Sequence, residues 1–442
     1  MRTLAPLLLL FLAGCAGPSP VGPTGTAPRG RARPARPDDC RAVSEAELKF
    51  ALAAASAGQA LCLEAGRYPG PLVVPSKVTL WGPPEAVIQS TGKGTTLRLE
   101  GNGARLLGVT VDGSGGRFDT LDAAVHVTGE DAVVEGVRVV NATFGILVEK
   151  ARRAQILGNE VIGDAQAALG LRGDGIRLWE THDSLVEDNR VQDSRDLVVW
   201  YSRNNTLRRN RVTGGRYGTH FMYSHDCVAE DNLYRGNEVG VFVMYSRGIR
   251  LTRNVLAQGT GAAGMGLGMK ESGDLTAVEN LFLHNTVGLY VDSSPIQQNE
   301  HNRFERNVFR LHDAAVIFHG TERNNAFLAN TFRDNQAQVR VEGRTDGLST
   351  EWKGNSFDDY RGFDLDRDGV GDVAYELKSL SDDLVGRHAG LALFRGSPAL
   401  GLVSVAGEIV PMFEAKVLVT DPVPHLGETV QLGALQELLR ED

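Results

Sequence analysis

The sequence predicts an all-β chain, a parallel β-helix of about eleven coils with an N-terminal capping helix and a C-terminal cap segment. Three observations predict it. Asn159, Asn189, Asn210, Asn232, Asn254, Asn280, Asn307, Asn330 and Asn355 recur at separations of 30, 21, 22, 22, 26, 27, 23 and 25, each followed two positions on by an apolar or aromatic residue. Gly108 and Gly136 hold the same place earlier. Fourteen residues before the Asn, a small or acidic residue opens a second strand at Gly145, Gly175, Asp196, Gly218, Gly240 and Gly266. A turn residue and a short strand in phase are what stacked coils need, and an Asn in the turn both tolerates left-handed backbone and passes its amide to the next Asn. The composition agrees: of 442 residues 52 are Gly, with 42% hydrophobic and 23% charged, which excludes a disordered or membrane-embedded chain. Lys plus Arg number 46 against 55 Asp plus Glu, a net charge of −9, so no nucleic-acid partner is expected.

The first element is a leader. Arg2 precedes an apolar run from Leu4 to Ala13 that is too short for the roughly 20 residues a bilayer span needs. Ala13-Gly14-Cys15 resembles the lipobox of bacterial lipoproteins, which implies export, removal of residues 1–14 and a lipid on Cys15. Residues 15–37 are rich in Pro, Gly and Arg and are expected to form a flexible tether. Ala16 after the cysteine fits outer-membrane sorting better than inner, and the membrane stays open. Ser44 with Glu47 forms a capping-box signature at the start of an Ala-rich helix, Ser44 to Ala57. Cys40 and Cys62 flank it and could close a disulfide in an oxidising compartment, stabilising by roughly 3 kcal/mol. Short strands follow at Leu72–Val74 and Val78–Leu80. This opening resembles the helix cap and first coils of right-handed parallel β-helices of the pectin-lyase-like kind, which implies a right-handed coil over residues 38–374.

Within the coils, period two fixes which side chains face out. After the strand-opening residue, the first and third positions are almost all apolar, as in Ile176 and Leu178 or Val241 and Val243, and are expected inside. The fourth position reads Glu149, Trp179, Trp200, Met222, Met244 and Lys270 and is expected to form one outward ladder. His220 and Phe242 stand beside it, and Tyr201, Tyr223 and Tyr245 follow it by one residue. An exposed apolar stripe marks an interface unless a loop or the C-terminal segment covers it. Trp179, Trp200, Met222, Met244, Tyr201, Tyr223 and Tyr245 are therefore candidate partner-binding residues. Aromatic rows suit sugar rings, whereas thioether beside imidazole suits Cu(I), so His220, Met222, His225, Cys227 and Met244 are the copper candidates. For Cys227 two readings stand, a small buried hydrophobe or a soft ligand. Asp174, Asp193, Asp196, Arg177 and Arg195 offer charges for uronate chemistry, but no compact motif assembles them, and no catalytic residues are assigned.

Near the end, Asp364, Asp366, Asp368 and Asp372 occupy positions 1, 3, 5 and 9 of a calcium-type loop, with Gly369 at the turn and Val370 offering its carbonyl. Position 12 is Tyr375, not Glu, so a structural Ca²⁺ and a solvated acidic turn are both open. Residues 375–442 form a cap or docking segment, mostly apolar from Leu391 to Val410, with Pro411, Pro422 and Pro424 ending any helix.

Gly173-Asp174-Gly175-Ile176-Arg177-Leu178-Trp179, Leu197 to Ser202, Arg216 to Ser224 and Gly240 to Ser246, with their repeated Tyr-Ser pairs, resemble the NosD family. Gly266 to Lys270, the acidic loop and Leu393 to Ala399 continue the likeness, which covers about residues 40–425. The resemblance implies a non-enzymatic periplasmic protein of nitrous oxide reductase maturation. It would dock on the ATPase and membrane subunits of an ABC transporter, and meet the reductase or a copper chaperone to help assemble the copper-sulfur centre. The lipobox departs from family members that are simply secreted. A carbohydrate-binding or uronate-modifying β-helix, a lyase or epimerase, is the alternative.

Overall fold

The computed structural model describes residues 32–320, 323–342, 348–379, 384, 388–394, 397–409 and 417–430, with positions 433, 435 and 439. The leader, Cys15 and the tether to residue 31 lie outside the described residues. The chain winds as a right-handed parallel β-helix whose coils each give one short strand to three sheets, of 14, 12 and 13 parallel strands. Eleven coils was therefore a low count. The additional ones come before Gly108, where Gly82 stands at the corner and no Asn marks the coil.

The corner is built differently from the expectation in one respect. The left-handed residue is the one before each Asn: Gly158, Asp188, Arg209, Asp231, Arg253, Glu279, Arg306, Ala329 and Gly354 all have positive φ. Gly108 and Gly136 share that position, so Val109 and Val137, not the glycines, align with the Asn column. Freed from the αL role, each Asn side chain turns inward and is buried. Its Nδ2 donates to the Oδ1 of the next Asn at 2.9–3.0 Å in every step from Asn159 to Asn355. The backbone N–H of each Asn donates to the same oxygen, so the buried corner amides are paired through the stack. The last Asn finds no further coil. Asp421, fully buried, accepts from Asn355 N at 2.8 Å and Nδ2 at 2.9 Å and ends the ladder.

Both ends are sealed. Helix α1, Glu45–Ala54, has the expected capping box and buries Leu48, Ala51 and Leu52 over the first coil. It stops at Ala54, three residues before Ala57, the expected end. Cys40 and Cys62 are disulfide-bonded. The end of the tether segment does not hang free: Trp81 Nε1 donates to the Pro34 carbonyl at 3.1 Å. At the other end Tyr375–Lys378 pairs antiparallel with Val417–Asp421, and Tyr375 stacks on Phe357 at 3.9 Å, closing the column of Phe282, Phe309, Phe332 and Phe357. The tail residue Leu435 covers Leu233, Val255, Leu281 and Val308 on the outside of the thirteen-stranded sheet. Helix α2, Pro398–Ile409, ends before Pro411, and Leu393, Phe394, Leu402 and Val405 around it are exposed.

Candidate functional site

The outer face of the twelve-stranded sheet carries the site. Register pairing sets Glu149, Trp179, Trp200, Met222, Met244 and Lys270 directly opposite one another on successive coils. The inward set, Ile176, Leu178, Leu197, Val199, Thr219, Phe221, Val241 and Val243, is buried. Among the described residues the C-terminal segment packs on a different sheet, leaving the ladder half-exposed.

Tyr201, Tyr223 and Tyr245 sit at the next corner with φ of 52, 49 and 50°, a region bulky residues seldom occupy. Their rings stack at 5.3 and 4.9 Å within 13° of parallel. The serine after each Tyr is buried and accepts the N–H of the preceding coil, as in Ser202 N to Ser224 Oγ at 3.3 Å and Ser224 N to Ser246 Oγ at 3.0 Å. The Tyr-Ser pair is thus a corner device, with the hydroxyl holding the stack and the phenol presented outward.

Beside the ladder lies a buried charge network. Arg177 donates to Asp174 at 2.9 Å, and Arg195 to the other Asp174 oxygen at 2.8 Å. Arg216 binds Asp196, and the Tyr217 N–H also donates to Asp196 at 3.1 Å. Burial, the largest influence on Asp174, pushes its carboxyl up, while Arg195 pulls it back. The Arg177 guanidinium is held between the Trp179 and Trp200 rings, 4.8 and 4.6 Å from their centroids. Asp193 is left outside this network, about a coil edge away against Arg172 at 4.0 Å. Four of the five charges noted in the sequence therefore meet, joined by Arg216. What would have found them is the repeat itself: Arg195-Asp196 and Arg216-Tyr217 fall at the same coil position, 21 residues apart.

His220 is the centre of the arrangement. It is 5% exposed, with Tyr217 edge-on at 4.9 Å and Trp200 edge-on at 5.4 Å. Trp200 Nε1 donates to His220 Nδ1 at 3.3 Å, and His220 Nε2 lies 3.2 Å from Met244 Sδ. Burial first, then Arg216, pulls the imidazole down to about 3, so it is neutral at physiological pH. Gly268 makes room for Phe242, since a Cβ there would meet its ring at 2.4 Å.

The structure does not bring the other two copper candidates to this pair. Cys227 faces the central column, fully buried, and burial pushes its thiol up to about 12, away from the thiolate a metal binds. His225 stands in a corner column with Arg203 and Arg247, its Nδ1 accepting the Arg247 N–H at 3.2 Å. The acidic loop gathers Asp364, Asp366 and Asp368 with ligand atoms within 4.8 Å of one another. Asp364 accepts from Gly369 N at 2.9 Å, Asp372 from Leu365 N at 2.6 Å, and Val370 bridges to His425 of the C-terminal segment.

A family model described as "Periplasmic copper-binding protein (NosD)" matches residues 164–362. A Pseudomonas aeruginosa protein named "Probable ABC transporter binding protein NosD" is 31% identical over 388 residues, covering 77% of this chain and 82% of its own length. The chain belongs to the NosD family. A NosD relative of the same name from Stutzerimonas stutzeri is 29% identical over 369 residues, covering 80% of this chain and 84% of its own. Among solved structures, the A-module of the Azotobacter vinelandii mannuronan C-5 epimerase AlgE6 superposes with a TM-score of 0.57 at 15% identity, covering 72% of this chain and 96% of its own. The catalytic unit of a Streptomyces thermodiastaticus alpha-1,3-glucanase gives 0.54 at 14% identity, covering 75% and 70%. At that identity the likeness concerns the β-helix alone, and NosD relatives carry names of binding proteins.

Proposed function

We propose that this chain is a non-enzymatic periplasmic accessory protein that carries Cu(I) as cargo toward the copper-sulfur centre of nitrous oxide reductase and docks on an ABC transporter. The observation that carries the copper role is the neutral His220 imidazole 3.2 Å from the Met244 thioether, on a half-exposed ladder with Met222 beside it. A soft sulfur and an imidazole are a donor set that suits Cu(I). The family description and the names of the relatives support the same reading. Asp174 and Asp196, the carboxylates an epimerase or lyase would need, are both buried and tied to arginines, which favours binding over catalysis. The stacked Tyr201, Tyr223 and Tyr245 are the surface offered to the reductase or to a copper chaperone. Cys15 would hold the protein to the inner or outer membrane through its lipid. Mass spectrometry of the mature N-terminus checks that point, and an unmodified Cys15 ends it.

The deciding experiment is an anaerobic Cu(I) titration of the mature chain against a chromogenic competitor. Met222→Leu with Met244→Leu is expected to weaken binding by about tenfold or more, since even the outer partners of metal ligands cost that much. Wild-type affinity in the double variant removes the site. An absorbance rise on incubation with uronate polymers would instead favour the lyase alternative.

A further inference from the structure

The hydrogen bonds around His220 constrain which of its nitrogens carries the ring proton. An indole N–H donates and never accepts. Trp200 Nε1 lies 3.3 Å from His220 Nδ1 and points its hydrogen at it, so Nδ1 must offer a lone pair. The one ring proton is then on Nε2, directed at Met244 Sδ 3.2 Å away, a weak acceptor. The nitrogen that faces the thioether is thus blocked by its own hydrogen. Trp200 is not free to drift, because Arg177 lies over its ring at 4.6 Å and Trp179 packs at 5.7 Å. His220 is boxed by Tyr217 and Phe242 on its remaining sides, and the half-buried Met222 and Met244 are the part of the site that meets solvent.

We propose that Trp200 sets the affinity of this site by latching His220 in the tautomer that does not bind metal. The inference rests on the copper reading above and adds a regulator to it. On loading, Cu(I) exchanges two ligand atoms of the donor that delivers it for Nε2 and Sδ, the proton leaves Nε2 and one is taken up at Nδ1, and the Trp200 N–H···Nδ1 bond is given up; no net proton and no electron is exchanged. A carrier that must release its cargo gains from this, since unloading restores a hydrogen bond that loading has broken.

Two measurements on the full mature chain test the latch. In Cu(I) competition, Trp200→Phe keeps a ring beside Arg177 but loses the donor and is expected to bind roughly 3- to 10-fold more tightly, the worth of one net hydrogen bond. Met244→Leu run beside it is expected to bind more weakly. If Met244→Leu is weakened while Trp200→Phe binds no tighter than wild type, the latch is wrong and the copper site stands. If Met244→Leu binds like wild type, the site itself is wrong and the latch falls with it. In the wild-type chain, the ¹⁵N-indole resonance of Trp200 should move upfield when Cu(I) is added, as its hydrogen bond breaks. A resonance unmoved at saturating Cu(I) overturns the proposal even if the Phe variant fails to fold.

Discussion

Replacing Asn232 by Leu tests whether the buried amide ladder holds the coils together. Asn232 is fully buried; its Oδ1 accepts Asn210 N at 2.8 Å and Asn210 Nδ2 at 3.0 Å, while its Nδ2 donates to Leu207 O at 3.0 Å and Asn254 Oδ1 at 2.9 Å. Leu has comparable bulk, so the change is chiefly one of polarity. Asn254 Oδ1 keeps the backbone N–H of residue 232, and Asn210 Nδ2 keeps Val186 O at 2.9 Å. The Asn210 N–H loses its acceptor and the Leu207 carbonyl loses its side-chain donor. One orphaned buried donor costs about 1–3 kcal/mol and each of the three further lost bonds about 1 kcal/mol, so the sum is about 4–6 kcal/mol. Guanidinium denaturation followed by far-ultraviolet circular dichroism reads the total, and amide exchange at Asn210 reads the local opening, which should accelerate most there because solenoid coils depend on their neighbours. A loss below about 1 kcal/mol, with exchange at Asn210 unchanged, would refute the view that the ladder is structural.

Acid should destabilise the fold through His220. Its folded pKa of about 3 lies below the ordinary value near 6.5, so between those limits the unfolded chain binds a proton that the folded chain refuses, and stability falls as pH falls through that window, by a ceiling of about 4–5 kcal/mol. His220→Gln should flatten the pH–stability curve there; parallel curves for the two proteins would contradict the assignment. Asp364→Ala with Asp366→Ala is expected to abolish any rise in melting temperature that millimolar Ca²⁺ gives the wild type, and a wild type indifferent to Ca²⁺ and to chelator leaves the loop a solvated acidic turn. Leu402→Glu with Phe394→Glu, at exposed positions, should abolish co-purification of the transporter subunits without lowering stability by more than about 0.5 kcal/mol; retained co-purification would place docking elsewhere.

Strand phase was legible because burial alternates with period two, and the outward register of Trp179, Trp200, Met222 and Met244 follows from it. The corner was misplaced by one residue. Asn is the ordinary left-handed residue after Gly, yet here its amide is used inside and the left-handed seat goes to Arg209, Glu279 or Ala329. No local preference reveals that exchange, since the gain lies in contacts with the next coil. The Asp174–Arg195 and Asp196–Arg216 pairs were invisible as a motif for the same reason: their members are about a coil apart in sequence and adjacent only in the stack. His220 and Met244 meet diagonally, from the second and fourth positions of neighbouring coils. The eye follows columns, and a diagonal contact needs side-chain directions that the pattern does not contain.

The same stacking bears on how copper handling and docking relate. Four further rungs, through Lys270, Asp292, His319 and Glu342, separate Met244 from the last coil, a distance of roughly 20 Å at sheet spacing. The buried Asn column and stacked Phe rings pin every coil between them, and the Ser column continues as far as Ser294, so the described residues hold no bistable element through which a transporter at the C-terminal end could reshape the His220 pocket. On the proposed reading, docking would then orient the rod and the exposed ladder rather than switch metal affinity. What can change at the proposed copper site is confined to that site: one ring proton, the Trp200 hydrogen bond and the two half-exposed thioethers. An arriving partner that displaces Trp200 or supplies a softer ligand would therefore govern transfer directly, at the ladder. On this reasoning the Leu402→Glu and Phe394→Glu variant, unable to hold the transporter, keeps its Cu(I) affinity within about twofold of wild type, under 0.5 kcal/mol. A larger change would mean that the rod transmits what its pinned columns imply it cannot.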